Sequence, residues 1–150
     1  MTHKIEPTDL VLERISWKKD GCGFSLLQLI FKGGICSPFF KTKDCDEENY
    51  KTTHISQSQP IRHVRMMLAE NKYIEKIEFL AKKEDIQPED ILGKMKACSC
   101  GEEFIWDVPE GQSIVGLFGL VASNKYVAEG VAQYDFDHIK GLGFLTLKLN

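Results

Sequence analysis

Apolar and polar positions alternate along this chain in short bursts, separated by glycine, proline and polar clusters. Phe24 to Phe31 (Phe-Ser-Leu-Leu-Gln-Leu-Ile-Phe) is an apolar run that ends at Gly33-Gly34. It predicts a strand buried on both faces, followed by a turn. Two middle segments fit two periods each. In Ile61 to Leu68, Val64, Met66 and Leu68 recur at period two, whereas Ile61, Val64 and Leu68 stand at helical spacing. In Tyr73 to Leu80, Tyr73, Ile77 and Phe79 suit a strand face, and Ile74, Ile77 and Ala81 suit a helix. Their β-branched and aromatic content, in segments this short, favours two strands joined by a tight turn at Asn71-Lys72. Gln87 to Gly93 fits a helical turn, with Pro88 at its start and Gly93 just past its end.

The last third reads more plainly. Glu103 to Val108 predicts a strand, Pro109-Glu-Gly111 a turn, and Ser113 to Val121 a second strand. Gly116 and Gly119 inside that strand imply a bulge or a close backbone approach. A polar loop is expected from Ser123 through Glu129 to Asp137, and a final apolar strand over Leu142 to Leu149. Leu27–Phe31, Ile74–Phe79 and Leu142–Leu147 echo one another, a pattern that a three-sheet arrangement would produce. Short strands with turns at regular intervals place the chain in the all-β class, as a sandwich, barrel or prism. One domain is expected over residues 1–150, with 41–60 as a long, mobile polar loop.

Composition narrows the function more than the fold. With 43% hydrophobic and 27% charged residues, 150 residues suffice for one domain with a real core. The net charge of −3 comes without any basic stripe, which argues against nucleic acid as a partner. The longest apolar stretch, near Val115 to Ala122, is far short of the roughly 20 residues of a membrane span. The opening Met1-Thr-His-Lys-Ile-Glu-Pro7 lacks the apolar core of a secretory signal. With an odd count of 5 cysteines, this leads us to expect a reducing, cytoplasmic compartment with free thiols. The basic residues are 16 lysines against 3 arginines, a skew typical of AT-rich coding genomes.

Chemistry-bearing patterns are sparse. Cys98-Ser-Cys100 has one residue between its thiols, closer than the usual zinc spacing, and nothing demands that Cys36, Cys45 or His54 complete a site. Of the 4 histidines, His138 alone has an adjacent carboxylate, Asp137, and neighbours on a strand point to opposite faces. No nucleophile elbow or phosphate-binding glycine loop is present. Gly21-Cys-Gly23 and Gly33-Gly34 read as turns. Catalysis, metal and cofactor are therefore not expected. Asp135, Asp137 and Glu129 share one acidic loop that is either solvated or a cation or polar-ligand site. Asp44 to Glu48 is either a solvated loop or a rim for a basic partner. Trp17 and Trp106 are candidates for sugar stacking, for core anchoring or for a protein interface.

The segment Phe104-Ile-Trp-Asp-Val-Pro-Glu-Gly-Gln-Ser-Ile-Val-Gly-Leu-Phe-Gly119 resembles the last sheet of jacalin-related lectins. Ile139-Lys-Gly-Leu-Gly-Phe-Leu145 is similar to that family's final strand, with its apolar-Gly-apolar step. Ile74 to Phe79 resembles one of its strand cores, and Phe31-Lys-Gly-Gly-Ile-Cys-Ser-Pro38 its strand-then-glycine-loop style. The resemblance implies a β-prism: three antiparallel four-stranded sheets around a pseudo-threefold axis. In sugar-binding members, a loop before the final strand carries Gly-x-x-x-Asp. There the aspartate accepts sugar hydroxyls, and the glycine lets backbone amides approach the ring.

Matched on Leu142-Gly143-Phe144, this sequence puts Phe136 at the glycine and Lys140 at the aspartate. An ammonium donates hydrogen bonds and accepts none, so the family's sugar site is not retained. The resemblance further implies that divergent jacalin-like domains occur inside protist cells, notably in ciliary microtubule assemblies. Our expectation from the sequence is thus a non-catalytic adaptor that contacts other proteins in an assembly. The alternative is a lectin using another loop, for which Gly33-Gly34 or Gly21-Cys-Gly23 is the candidate.

Overall fold

The computed structural model describes residues 10–20, 23–43, 45–55, 60–68, 74–81, 91–92, 102–126 and 134–148; for 20, 91–92, 122–126 and 134–137 it describes the backbone alone. Among these residues ten strands follow one another: β1 (Leu12–Asp20), β2 (Gly23–Phe31), β3 (Phe40–Lys41), β4 (Lys51–His54), β5 (His63–Leu68), β6 (Ile74–Leu80), β7 (Ile91–Leu92), β8 (Glu102–Asp107), β9 (Gln112–Tyr126) and β10 (Tyr134–Lys148). They form three antiparallel sheets, ordered β3-β2-β1-β4, β7-β6-β5-β8 and β10-β9. Among the described residues there is no helix. The fold is all-β and β-prism-like. Among the described residues its third sheet is a ribbon of two 15-residue strands. The three echoing segments lie in β2, β6 and β10, one in each sheet.

β2 is buried on both faces, as its unbroken apolar run predicts. Phe24, Leu27, Leu29 and Phe31 join the common core with Ile15, Ile77, Phe79, Ile139 and Phe144, so all three sheets contribute. Leu26 and Ser25 are buried as well. Leu26 pairs with Lys41 of β3, and just after β3 Thr42 N donates to Ser25 O at 2.9 Å and Cys45 Sγ to Ser25 Oγ at 3.5 Å.

The expectation of a polar loop over 41–60 is corrected at 51–54, which form a strand, while 42–43 and 45–50 are loop. Thr42, Cys45 and Ile55 are buried, and β4 pairs with β1 from Arg14↔His54 to Trp17↔Lys51. A four-residue strand of Lys-Thr-Thr-His has no apolar signal; its partner strand supplies the ladder. The helical turn expected over 87–93 is corrected where it is described. Ile91 and Leu92 form β7, which pairs with Glu78 and Ile77. Asn71-Lys72 lies outside the described residues, but the two strands expected around it form, with Leu68 paired to Ile74.

The largest correction concerns the C-terminal polar loop. β9 continues to Tyr126 and β10 begins at Tyr134, with Asn124↔Phe136 and Ser123↔Asp137 paired. Ladder hydrogen bonds hold this polar half in register where side-chain pattern is silent. Two register shifts, at Ile139/Gly141 and Leu145/Thr146, bend the ribbon. The Pro109-Glu-Gly111 turn forms as expected: Gln112 N donates to Pro109 O at 3.0 Å, and Gly111 takes φ +75°.

Candidate functional site

The Gly33–Gly34 turn is built by β2 running out past Phe31. Gly34 N donates to Phe31 O at 3.1 Å, and Phe31 N to Ile35 O at 2.7 Å. The returning chain then lies along β2, with Ser37 N on Leu29 O and Leu29 N on Ser37 Oγ, both at 2.9 Å. Gly33 and Gly34 have φ of +85° and +84°, a region that strains any side-chain-bearing residue, and open space surrounds the place of each missing Cβ. Exposed Lys32 and exposed Cys36 flank them. The result is an exposed backbone corner that a ligand can approach closely. Gly21-Cys22, the other glycine turn considered, lies outside the described residues.

The second candidate, around Asp135, Asp137 and Lys140, does not form the expected loop. Asp135 and Asp137 stand in β10, their backbones paired with Lys125 and Ser123. Their side chains, and Glu129, lie outside the described residues. Lys140 is exposed and is the extra residue of the bulge between Ile139 and Gly141. The segment that matches the family's sugar loop is thus a paired strand here. Among the described residues, no hydrogen bond or ion pair joins Lys140 to the Gly33–Gly34 turn. His138 is fully buried in β10.

Both tryptophans are packing anchors. Trp17 donates from Nε1 to Thr53 Oγ1 at 2.8 Å, meets Phe24 edge-on at 5.8 Å, and has Lys51 Nζ over its ring at 5.3 Å. Trp106 stacks on Phe144 with centroids 5.4 Å apart and planes 25° from parallel. Both are half-buried. Cys36 and Cys45 are free thiols, and among the described residues no three His, Cys, Asp or Glu side chains come together as a metal site. Among those residues, also, no helix is long and apolar enough to cross a membrane.

The acidic segment 44–48 is tied down at its centre. Asp46 Oδ1 accepts from Lys18 Nζ and, at 3.3 Å, from Glu48 N. The Lys18 hydrogen bond, with the Glu48 amide next, holds the Asp46 carboxyl below its usual 3.8. A depressed carboxyl contributes stability above its unfolded value, and that contribution is lost as pH falls through the folded one. We expect a carboxyl NMR titration midpoint for Asp46 below 3.8, which Lys18→Met moves back up. No change in the variant would show that Lys18 is not the cause.

One feature escaped the sequence reading. On the outer face of the β9–β10 ribbon, Phe118 is 55% exposed, Leu120 69% and Leu145 53%. Each lies opposite a glycine: Phe118↔Gly143, Leu120↔Gly141 and Leu145↔Gly116. A Cβ on Gly143 would sit 2.4 Å from the Phe118 ring, so the ring lies across the partner backbone. The period-two pattern Gly116-x-Phe118-x-Leu120 against Gly141-x-Gly143-x-Leu145 was the available signal.

By sequence, no protein family and no curated protein matches this chain. By structure, the chain is similar to a solved prostate-specific WGA16 glycoprotein lectin. The TM-score is 0.60 at 12% identity, over 95% of this chain and 86% of that one. The likeness is one of fold: a lectin-like all-β architecture spans the chain. At that identity it assigns no residue a role.

Proposed function

We propose that this chain is a non-catalytic, divergent jacalin-like binding domain that takes carbohydrate at the Gly33–Gly34 turn. The observation that carries the reading is the pair of exposed glycines with φ of +85° and +84° and open space around both. Sugar hydroxyls need close access to peptide donors and acceptors, and a side-chain-free corner grants it. The lectin neighbour supports a carbohydrate ligand for this architecture. Lys140 and the strand pairing of Phe136 turn the reading away from the family's usual loop.

A glycan array with the purified protein tests it. We expect saturable binding that free monosaccharide competes, and at least a tenfold loss in Gly34→Val, measured well below the lowered melting temperature that a side chain at φ +84° brings. An array without hits, or full binding by Gly34→Val, would sink this reading.

A second reading is favoured by the exposed apolar outer face of β9–β10. An adaptor that packs against other proteins in a larger intracellular assembly, ciliary or microtubular among them, would use such a face. Stoichiometric co-purification with a large particle, from which Leu120→Lys drops out, is its signature.

A further inference from the structure

The outer face of the β9–β10 ribbon has a regular middle of three rungs, Gly116↔Leu145, Phe118↔Gly143 and Leu120↔Gly141. The two register shifts lie immediately beyond its first and last rungs, so this stretch of roughly 14 Å is bracketed by bends. None of the six residues is charged. Phe118, Leu120 and Leu145 are each more than half exposed, and Leu147 extends the apolar surface at one end. Water here meets an apolar sheet face, which gains by being covered.

The relief of this face sets what fits it. At the central rung the Phe118 ring lies across the Gly143 backbone, where a Cβ would meet it at 2.4 Å, so bulk is spread over both strands. At the outer rungs a leucine stands beside a glycine, on β9 at one end and on β10 at the other. A two-fold axis in the plane of the face, along the strands or across them, therefore sets both leucines of one copy over glycines of the other. It also brings the two Phe118 rings together at the centre. A foreign surface needs its own matching relief, whereas a second copy carries it by symmetry. Under either axis, no rung sets like charges opposite one another.

We propose that this face is the contact of a homodimer, two copies packed sheet on sheet through β9 and β10. Three rungs of a two-stranded ribbon are small against the roughly 800 Å² per partner of a standard interface, so the dimer forms in the micromolar range. It goes beyond the carbohydrate reading, which uses the turn after β2, and gives to a second copy the face that the adaptor reading leaves to other proteins. Sedimentation reads the dimer and a glycan array the sugar, so either proposal can fail alone.

Sedimentation velocity of the full chain over a micromolar concentration series is the test. We expect a monomer–dimer equilibrium whose dissociation constant rises at least tenfold in Leu120→Lys and in Leu145→Glu, both at exposed positions. Mixed variants then report the geometry. With the axis across the strands, Leu120 of one copy lies beside Leu145 of the other; with the axis along them, the two Leu120 side chains are neighbours. Leu120→Lys should therefore regain a dimer when mixed with Leu145→Glu in the first case, or with Leu120→Glu in the second. Should Leu120→Lys fail to fold, Leu145→Lys takes its place, mixed with Leu120→Glu or Leu145→Glu. A monomer throughout the series, a dimer that the lysine variant leaves intact, or recovery in neither mixture would each overturn the proposal.

Discussion

Phe144→Ala is expected to cost about 4 kcal/mol, the range for truncating a buried phenylalanine. In a domain of this size it should lower the melting temperature by roughly 10 °C. Phe144 belongs to β10 but is held by the neighbouring sheet, stacked on Trp106 at 5.4 Å and edge-on to Phe79 at 6.0 Å. Removing it leaves a void between two sheets, lined by rings that cannot collapse inward without breaking their ladders. Chemical denaturation checks the loss. Phe144→Leu should recover much of it, since it restores most of the volume. A loss below about 1 kcal/mol for the alanine variant would mean that the sheets close over the gap.

Gly119→Ala should cost about 3 kcal/mol, the upper part of the range for overpacking. The added Cβ would lie 2.2 Å from the carbonyl oxygen of Gly141 and 3.1 Å from the ring of Phe40. The first of these decides the outcome, because a backbone carbonyl in a ladder cannot rotate aside as a side chain can. The double variant with Phe40→Ala should therefore recover little. Full recovery in the double variant would move the cause from the backbone to the ring. Gly143→Ala makes a useful contrast, since the Phe118 ring above it is exposed and can swing away.

The fold was legible wherever side chains announce burial. β2, β5, β6, β8 and the first half of β9 carry apolar or β-branched runs, and they stand close to where pattern places them. β1, with Leu12, Ile15 and Trp17 among charged residues, and β4, with none, owe their strands to each other and to β2. The distal half of the ribbon is polar for the same reason. Cross-strand hydrogen bonds are invisible in a linear pattern, so Ser123 to Asp137 reads as loop from sequence.

The candidate site was legible in half. Glycine pairs reveal a tight corner, and Gly33–Gly34 is one. That Lys140 cannot replace an aspartate follows from its chemistry alone, but that its segment is strand does not. Trp17 and Trp106 were open between ligand and core until Thr53, Lys51 and Phe144 appeared around them.

The ribbon's outer face carries its bulk in complementary halves, one large side chain and one hydrogen atom at each of three successive rungs. Thickness there is a property of the rung and not of either strand. Exchanging the members of a rung, Phe118→Gly with Gly143→Phe, keeps the local volume, whereas enlarging the glycine alone doubles it. A bulky residue entering one strand of this surface therefore needs a small one opposite it in the other, which couples the large side chains of β9 to the glycines of β10.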